Sequence, residues 1–241
     1  MSAEATKADD GHTKPRADKP TIIRCQDLGR TFWRGKERLD VLEELDLEIP
    51  EGSFEALMGP SGSGKTTLLN IIAGLDRPTR GRIEVAGKSL GDLSEAALAK
   101  WRSQTIGFVF QHFNLIPVLT AVENVELPLL LTKVPASERK KRAQTALRVV
   151  GLEDRMDHRP QQLSGGQEQR VGIARAIVHD PKIIVADEPT GELDRQSADD
   201  VLTLLERLNR EFDKTILMVT HDPAAAERAS VLRKLDKGRL S

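Results

Sequence analysis

The stretch GPSGSGKTT, Gly59 to Thr67, decides the fold. It contains the whole pattern G-x-x-x-x-G-K-[ST], set between a short apolar run, SFEALM, and a helical pattern from Lys65 to Leu75. Glycines at Gly59, Gly62 and Gly64 allow backbone N–H groups to close around phosphate oxygens. Lys65 can then reach the β- and γ-phosphates, and the Thr66 hydroxyl can ligate Mg²⁺. Pro60, Ser61, Ser63 and Thr67 complete the loop. The strand–loop–helix context favours a nucleoside triphosphate over a glycine turn that merely precedes a helix.

Working outward, TIIRCQDLGRTF reads as a strand, and VLEELDLEI alternates apolar Leu45, Leu47 and Ile49 with acidic residues, as a half-buried strand should. A turn at Pro50-Glu51-Gly52 leads to the loop, and RGRIEVAGKSL gives another strand and turn. From Ser94 to Leu163 the pattern changes to helices over SEAALAKWRSQ and SERKKRAQTALRVVGL. The second has an apolar face at Ala143, Leu147 and Val150, with Ser137 as a cap that lacks the full capping box. LSGGQEQRVGIARAIV, Leu163 to Val178, is an amphipathic helix opened by Ser-Gly-Gly, a second helix start suited to an anion. The continuous apolar runs KIIVAD and TILMVTH, separated by the helical SADDVLTLLERLNREF, fit strands buried on both faces. The expected fold is a doubly wound α/β core with a helical insertion at about residues 94 to 165.

Composition narrows the function. With 241 residues, 39% hydrophobic and 30% charged, and a net charge of -1, the chain can bury one large α/β core. It has no basic surplus, so no nucleic-acid partner is expected. The single Cys25 excludes an internal disulfide and a cysteine metal cluster, in keeping with a reducing compartment. No apolar run approaches the roughly 18 residues of a membrane span, so work at a membrane would go through a partner. Residues 1 to 20, rich in Lys, Asp, Ala and Pro, read as a disordered tail without a secretory signal.

Further polar residues fall at strand ends. Asp187, at the carboxyl end of a buried strand, is placed to hold Mg²⁺, while alternation turns Glu188 elsewhere, where it could polarise a water. His221 closes TILMVTH and surfaces on the same edge, where a structural histidine is as good a reading as a phosphate ligand. Gln111 interrupts the apolar FVFQHF. It is either an exposed loop amide or a group that reaches the metal or the attacking water.

GPSGSGKT, Gln111, LSGGQ, IIVADEP, GELD and His221 follow one another in the order found in an ABC-type ATPase subunit, and the chain resembles that family over about residues 21 to 240. The resemblance implies a P-loop NTPase core of ABC type with an antiparallel β subdomain and a helical insertion, in one domain from 21 to 241. It implies ATP and Mg²⁺ as ligands, with Thr66, Gln111 and Asp187 at the metal. Glu188 matches the general base, Gln111 the Q-loop glutamine, His221 the switch histidine and Asp194 the D-loop aspartate. Phe32, or else Trp33, takes the place of the aromatic that stacks on adenine. Ser164, Gly165, Gly166 and Gln167 match the signature motif, which serves ATP held by a second copy, so a homodimer is implied. FVFQHFNLIPVLTAVENVELPLLL and VADEPTGELD resemble the branch of lipoprotein-releasing and macrolide-export ATPases, with the cell-division ABC ATPase nearby. Within that branch, where the macrolide exporter carries its membrane domain on the same chain, this chain resembles the type with a separate integral-membrane permease-like subunit, contacted by Phe108 to Leu131, at the cytoplasmic face of the cell membrane. An importer ATPase, a ribosome- or DNA-directed ABC protein and an ATP-binding regulator are the alternatives. Glu168 stands where many relatives have Gln, and its charge would favour the helix dipole while opposing a nearby phosphate.

Overall fold

A computed structural model describes residues 19–240; the expected tail lies outside the described residues as far as residue 18. Strands β1 (Thr21–Arg34) and β2 (Glu37–Pro50) form a long antiparallel hairpin. β3 (Phe54–Met58) then runs through the glycine loop into α1 (Lys65–Ile72). Next come β4 (Arg80–Val85), β5 (Lys88–Ser89), α2 (Glu95–Thr105) and β6 (Ile106–Val109). Helices α3 (Ala121–Glu126), α4 (Ala136–Val149) and α5 (Gly165–Ile177) follow. The chain continues with β7 (Ile183–Asp187), α6 (Arg195–Phe212), β8 (Thr215–Val219) and α7 (Pro223–Ala226). The last described strands are β9 (Val231–Asp236) and β10 (Arg239–Leu240).

Two sheets result. The antiparallel one has the order β2-β1-β4-β5, and the larger one β10-β9-β3-β8-β7-β6, in which β9, β3, β8, β7 and β6 are parallel. Strand alternation sorts the parallel sheet's side chains into two cores. Ile184, Ala186, Ile216 and Met218 pack with Val122, Leu147, Ile173 and Leu205 of the helices on one side. Ile183, Val185, Leu217 and Val219 pack with Leu68 and Leu69 of α1 and with Ile23 and Leu45 of the antiparallel sheet. Leu68, Leu69 and Ile72 are fully buried, and each such side chain contributes roughly 1.5–3 kcal/mol of transfer free energy. This is why the apolar runs in KIIVAD and TILMVTH are continuous: both faces of the sheet are covered.

Three sequence expectations need correction. β6 falls inside the block expected as an insertion, yet it pairs with β7, and Leu98 and Trp101 of α2 belong to the α1-side core. Only α3, α4 and short helical turns therefore lie between the sheet and α5. Ser137 does not cap α4: Pro135 holds the N-cap position with no side-chain bond, its fixed φ of -59° being ready for a helix start. β8 ends at Val219, so His221 sits two residues beyond the strand.

Candidate functional site

The glycine loop is shaped from behind by the end of the chain. A Cβ on Gly59 would lie 2.0 Å from the Leu235 carbonyl oxygen in β9, so no larger residue fits. Gly64 has a φ of 100°, and a Cβ there would meet Leu42 and the Val41 carbonyl at 2.8 Å. The Gly238 N–H, in the β9–β10 turn, donates to the Ser63 carbonyl at 3.2 Å, and the Gly238 carbonyl accepts from the Glu43 N–H at 3.0 Å.

In front of the loop lies a cavity of about 680 Å³, lined by Gly59 to Gly62, Gly64 to Thr67, Leu39, Val41, Glu188 and His221. α1 starts here with Gly64 as N-cap, no side-chain cap and no acidic residue in its first turn. Its first N–H groups are therefore left for an anion. Lys65 is buried, and its ammonium donates to the Gly59 and Pro60 carbonyls at 2.8 and 2.9 Å. The Ser63 hydroxyl is also buried, without a partner. A glycine loop with a buried cation, uncapped helix N–H groups and no acid in the first helical turn suits a phosphate tail.

At the strand ends the Thr66 hydroxyl donates to Asp187 at 3.3 Å. Burial pushes the Asp187 carboxyl above its ordinary range, against the Thr66 bond, and the neighbouring Glu188 charge adds to the rise. Glu188 leaves β7 with a φ of 46° and its N–H donates to the Val219 carbonyl at 2.9 Å. Its Oε2 lies 2.7 Å from His221 Nδ1. Gln111 follows β6, and a Cβ on Gly191 would lie 3.2 Å from its Nε2 and 3.4 Å from Glu188 Oε2, so the two side chains converge on that glycine. Next to them His112 Nδ1 meets Glu192 Oε1 at 2.5 Å. The cavity thus brings Lys65, Thr66, Glu188 and His221 together, with Asp187 and Gln111 immediately behind.

The second helix start is elsewhere. None of Ser164 to Gln167 lines the cavity. Ser164 caps α5 in a full capping box with Gln167, which already satisfies part of the N-terminus. Gly166 is there for packing: a Cβ would meet Ser197 Oγ of α6 at 2.7 Å. Asp194 caps α6 through the Ser197 N–H and hydroxyl, which hold its carboxyl below the ordinary range. Glu168, in the first turn of α5, is pushed up by burial.

Phe32 pairs with Leu39 across the β1–β2 ladder and so shares its face, while Trp33 pairs with Arg38 on the opposite face. The Arg30 guanidinium covers the Phe32 ring at 4.3 Å. Phe32 itself does not line the cavity. Leu39 and Val41 do, and the sequence reading missed them although their alternation was the available signal. Gln169 was missed too: it is fully buried on α5, and its side-chain amide donates to the Phe110 and Pro189 carbonyls. From the same helix, Arg175 donates to the carbonyls of Phe113 and Asn114.

A family profile described as ABC transporter matches residues 42–191. The macrolide export ATP-binding/permease protein MacB 1/2 of Paracoccus denitrificans is 48% identical over 91% of this chain, which spans 33% of that protein's length. The lipoprotein-releasing system ATP-binding protein LolD of Chromohalobacter salexigens is 43% identical over 93% of this chain and 95% of its own. Among solved structures, a dimeric post-hydrolysis state of the ATP-binding cassette MJ0796, bound to ADP and Pi, superposes with a TM-score of 0.84 at 44% identity, covering 91% of this chain and 97% of its own. These likenesses extend over nearly the whole described fold, and the chain belongs to the ABC transporter family, as its ATP-binding, ATP-hydrolysing subunit.

Proposed function

We propose that the chain works as a homodimer that closes around two ATP molecules and drives a separate membrane subunit from the cytoplasmic face, in lipoprotein release, export or mechanical work across the membrane. The observation that carries the dimer is the separation within one chain of the cavity from Ser164 to Gln167. A second helix start that serves no phosphate in its own subunit is explained if it faces the γ-phosphate of a partner. The likeness to MJ0796, whose structure bound to ADP and Pi is dimeric, supports a dimer. The likeness to MacB and LolD supports the export or release role.

In this reading Gly59 to Thr67 hold the phosphates, and Lys65 leaves the loop carbonyls for the β- and γ-oxygens. Mg²⁺ fits the hard oxygens of Thr66 and Asp187, with Gln111 behind them. Such an ion needs only one or two carboxylates beside the substrate's own phosphates. When bound, it neutralises charge on the β- and γ-phosphates. Glu188 orients and polarises the attacking water, and His221 holds the Glu188 carboxylate in place. Ile116, Val118, Leu130 and Leu131 are exposed around α3 and offer an apolar surface to the membrane subunit. No helix of the described residues is long and apolar enough to cross a membrane itself.

Glu188→Gln tests the core of the reading. It should bind ATP, accumulate dimers on size exclusion and lose turnover by at least about a hundredfold. Undiminished turnover would remove Glu188 from its role.

A further inference from the structure

We propose that Gln169 is a positioning residue: from α5 it ties the loop that carries Gln111 to the segment that follows Glu188, and so sets both against the helix that carries Ser164 to Gln167. The inference rests on the site reading given above, which assigns those residues their roles.

Three separate elements meet at this one side chain. Its amide nitrogen has two hydrogens, and both are used: one goes to the Phe110 carbonyl at 3.1 Å, the other to the Pro189 carbonyl at 2.6 Å. Phe110 immediately precedes Gln111, and Pro189 immediately follows Glu188. These carbonyls lie just beyond the ends of β6 and β7, past the paired residues. There the ladder no longer fixes the spacing of the two chains, and the Gln169 amide takes over that task.

The other end of the side chain argues against mere space filling. Gln169 is fully buried, and its Oε1 has no hydrogen-bond partner. A buried acceptor left unpaired is costly, and a Met or Leu of similar volume would avoid it. The nitrogen end is what such a replacement could not supply. Arg175 holds the far side of the same loop at Phe113 and Asn114, so Gln111 and His112 span two anchors on one helix. Any displacement of α5 is therefore passed to Gln111 and Glu188 together through Gln169.

The test compares Gln169→Met and Gln169→Glu in the full chain, with thermal melting, ATP binding and steady-state ATP hydrolysis from pH 6 to pH 8. Met keeps the shape and loses both donors. Glu can donate to a carbonyl only while protonated, and ionised it opposes both carbonyls. We expect both variants to bind ATP within about twofold of the parent while turnover falls about 10- to 100-fold. The turnover ratio of Gln169→Glu to Gln169→Met should rise as the pH is lowered. The inference is overturned if Gln169→Met turns over at the parental rate. It is equally overturned if both variants lose turnover only in step with their folded fraction and their ratio is flat with pH. Glu188→Gln measured alongside separates the two levels. Full turnover in that variant breaks the site reading, whereas an inactive Glu188→Gln beside a normal Gln169→Met breaks only the tie proposed here.

Discussion

His221 Nδ1 stands 2.7 Å from Glu188 Oε2, although the histidine is largely exposed and the carboxylate mostly covered. The contact holds the carboxylate of the first residue past β7, whose positive φ is unusual for Glu. His221→Ala should leave ATP affinity within about twofold and lower turnover by at least about tenfold. Steady-state kinetics beside an equilibrium binding measurement reads both quantities, and equal losses in each would show that His221 serves binding rather than the chemical step.

Ladder register favours Phe32 over Trp33 as the aromatic proposed to stack on adenine. Phe32 shares a face with Leu39, which lines the cavity, and Trp33 does not. Loss of an aromatic–base stack costs about 1–3 kcal/mol, so Phe32→Ala should raise the ATP dissociation constant roughly 5- to 150-fold. Leu39→Ala should weaken binding less, and Trp33→Ala not at all. Titration with a fluorescent ATP analogue ranks the three.

Glu168 makes stability depend on pH in a direction opposite to that of most carboxylates. Burial raises its folded-state pKa, so between the unfolded value and that raised value the folded protein binds more protons. Stability from this group therefore falls as pH rises through that window and stays reduced above it. Glu168→Gln should melt higher than the parent at pH 7 and no higher at a pH below the ordinary carboxylate range. Melting curves across pH check the sign.

Gly166 has no room for a side chain, because a Cβ would sit 2.7 Å from Ser197 Oγ and 2.8 Å from Ser197 Cβ. Gly166→Ala should destabilise the fold by about 1–3 kcal/mol through overpacking. Ser197→Gly in the same chain removes both clashing atoms and should restore part of the loss. Urea unfolding of the single and double variants measures that coupling.

The phosphate loop and the acids of the core were legible because each is fixed locally: a glycine pattern between strand and helix, or a carboxylate ending an apolar run. The two-faced burial of KIIVAD and TILMVTH was legible for the same reason. What the sequence hid depends on partners far along the chain. Register shifts between Cys25 and Leu28, between Leu28 and Arg30 and between Arg30 and Thr31 separate Phe32 from the start of β1, so alternation counted from Thr21 does not carry through to it. α2 reads as the first helix of an insertion, and only its burial of Leu98 and Trp101 assigns it to the α1-side core. Gln169 bonds to backbone carbonyls, which leave no mark on the residues that supply them. The same holds for Gly166, whose neighbour Ser197 belongs to another helix.

The contacts of Leu235 and Gly238 with the glycine loop bear on how the protein comes into being on the ribosome. Ser63 and Gly59 are shaped by residues more than a hundred and seventy positions later, and Gly238 also fastens Glu43 of the first hairpin. A loop whose contour depends on such distant pairing has high contact order, and it closes late. A nascent chain would emerge with its phosphate sequence long since made and its phosphate cradle still unformed, so nucleotide can reward folding only once β9 and the turn after it are free of the tunnel.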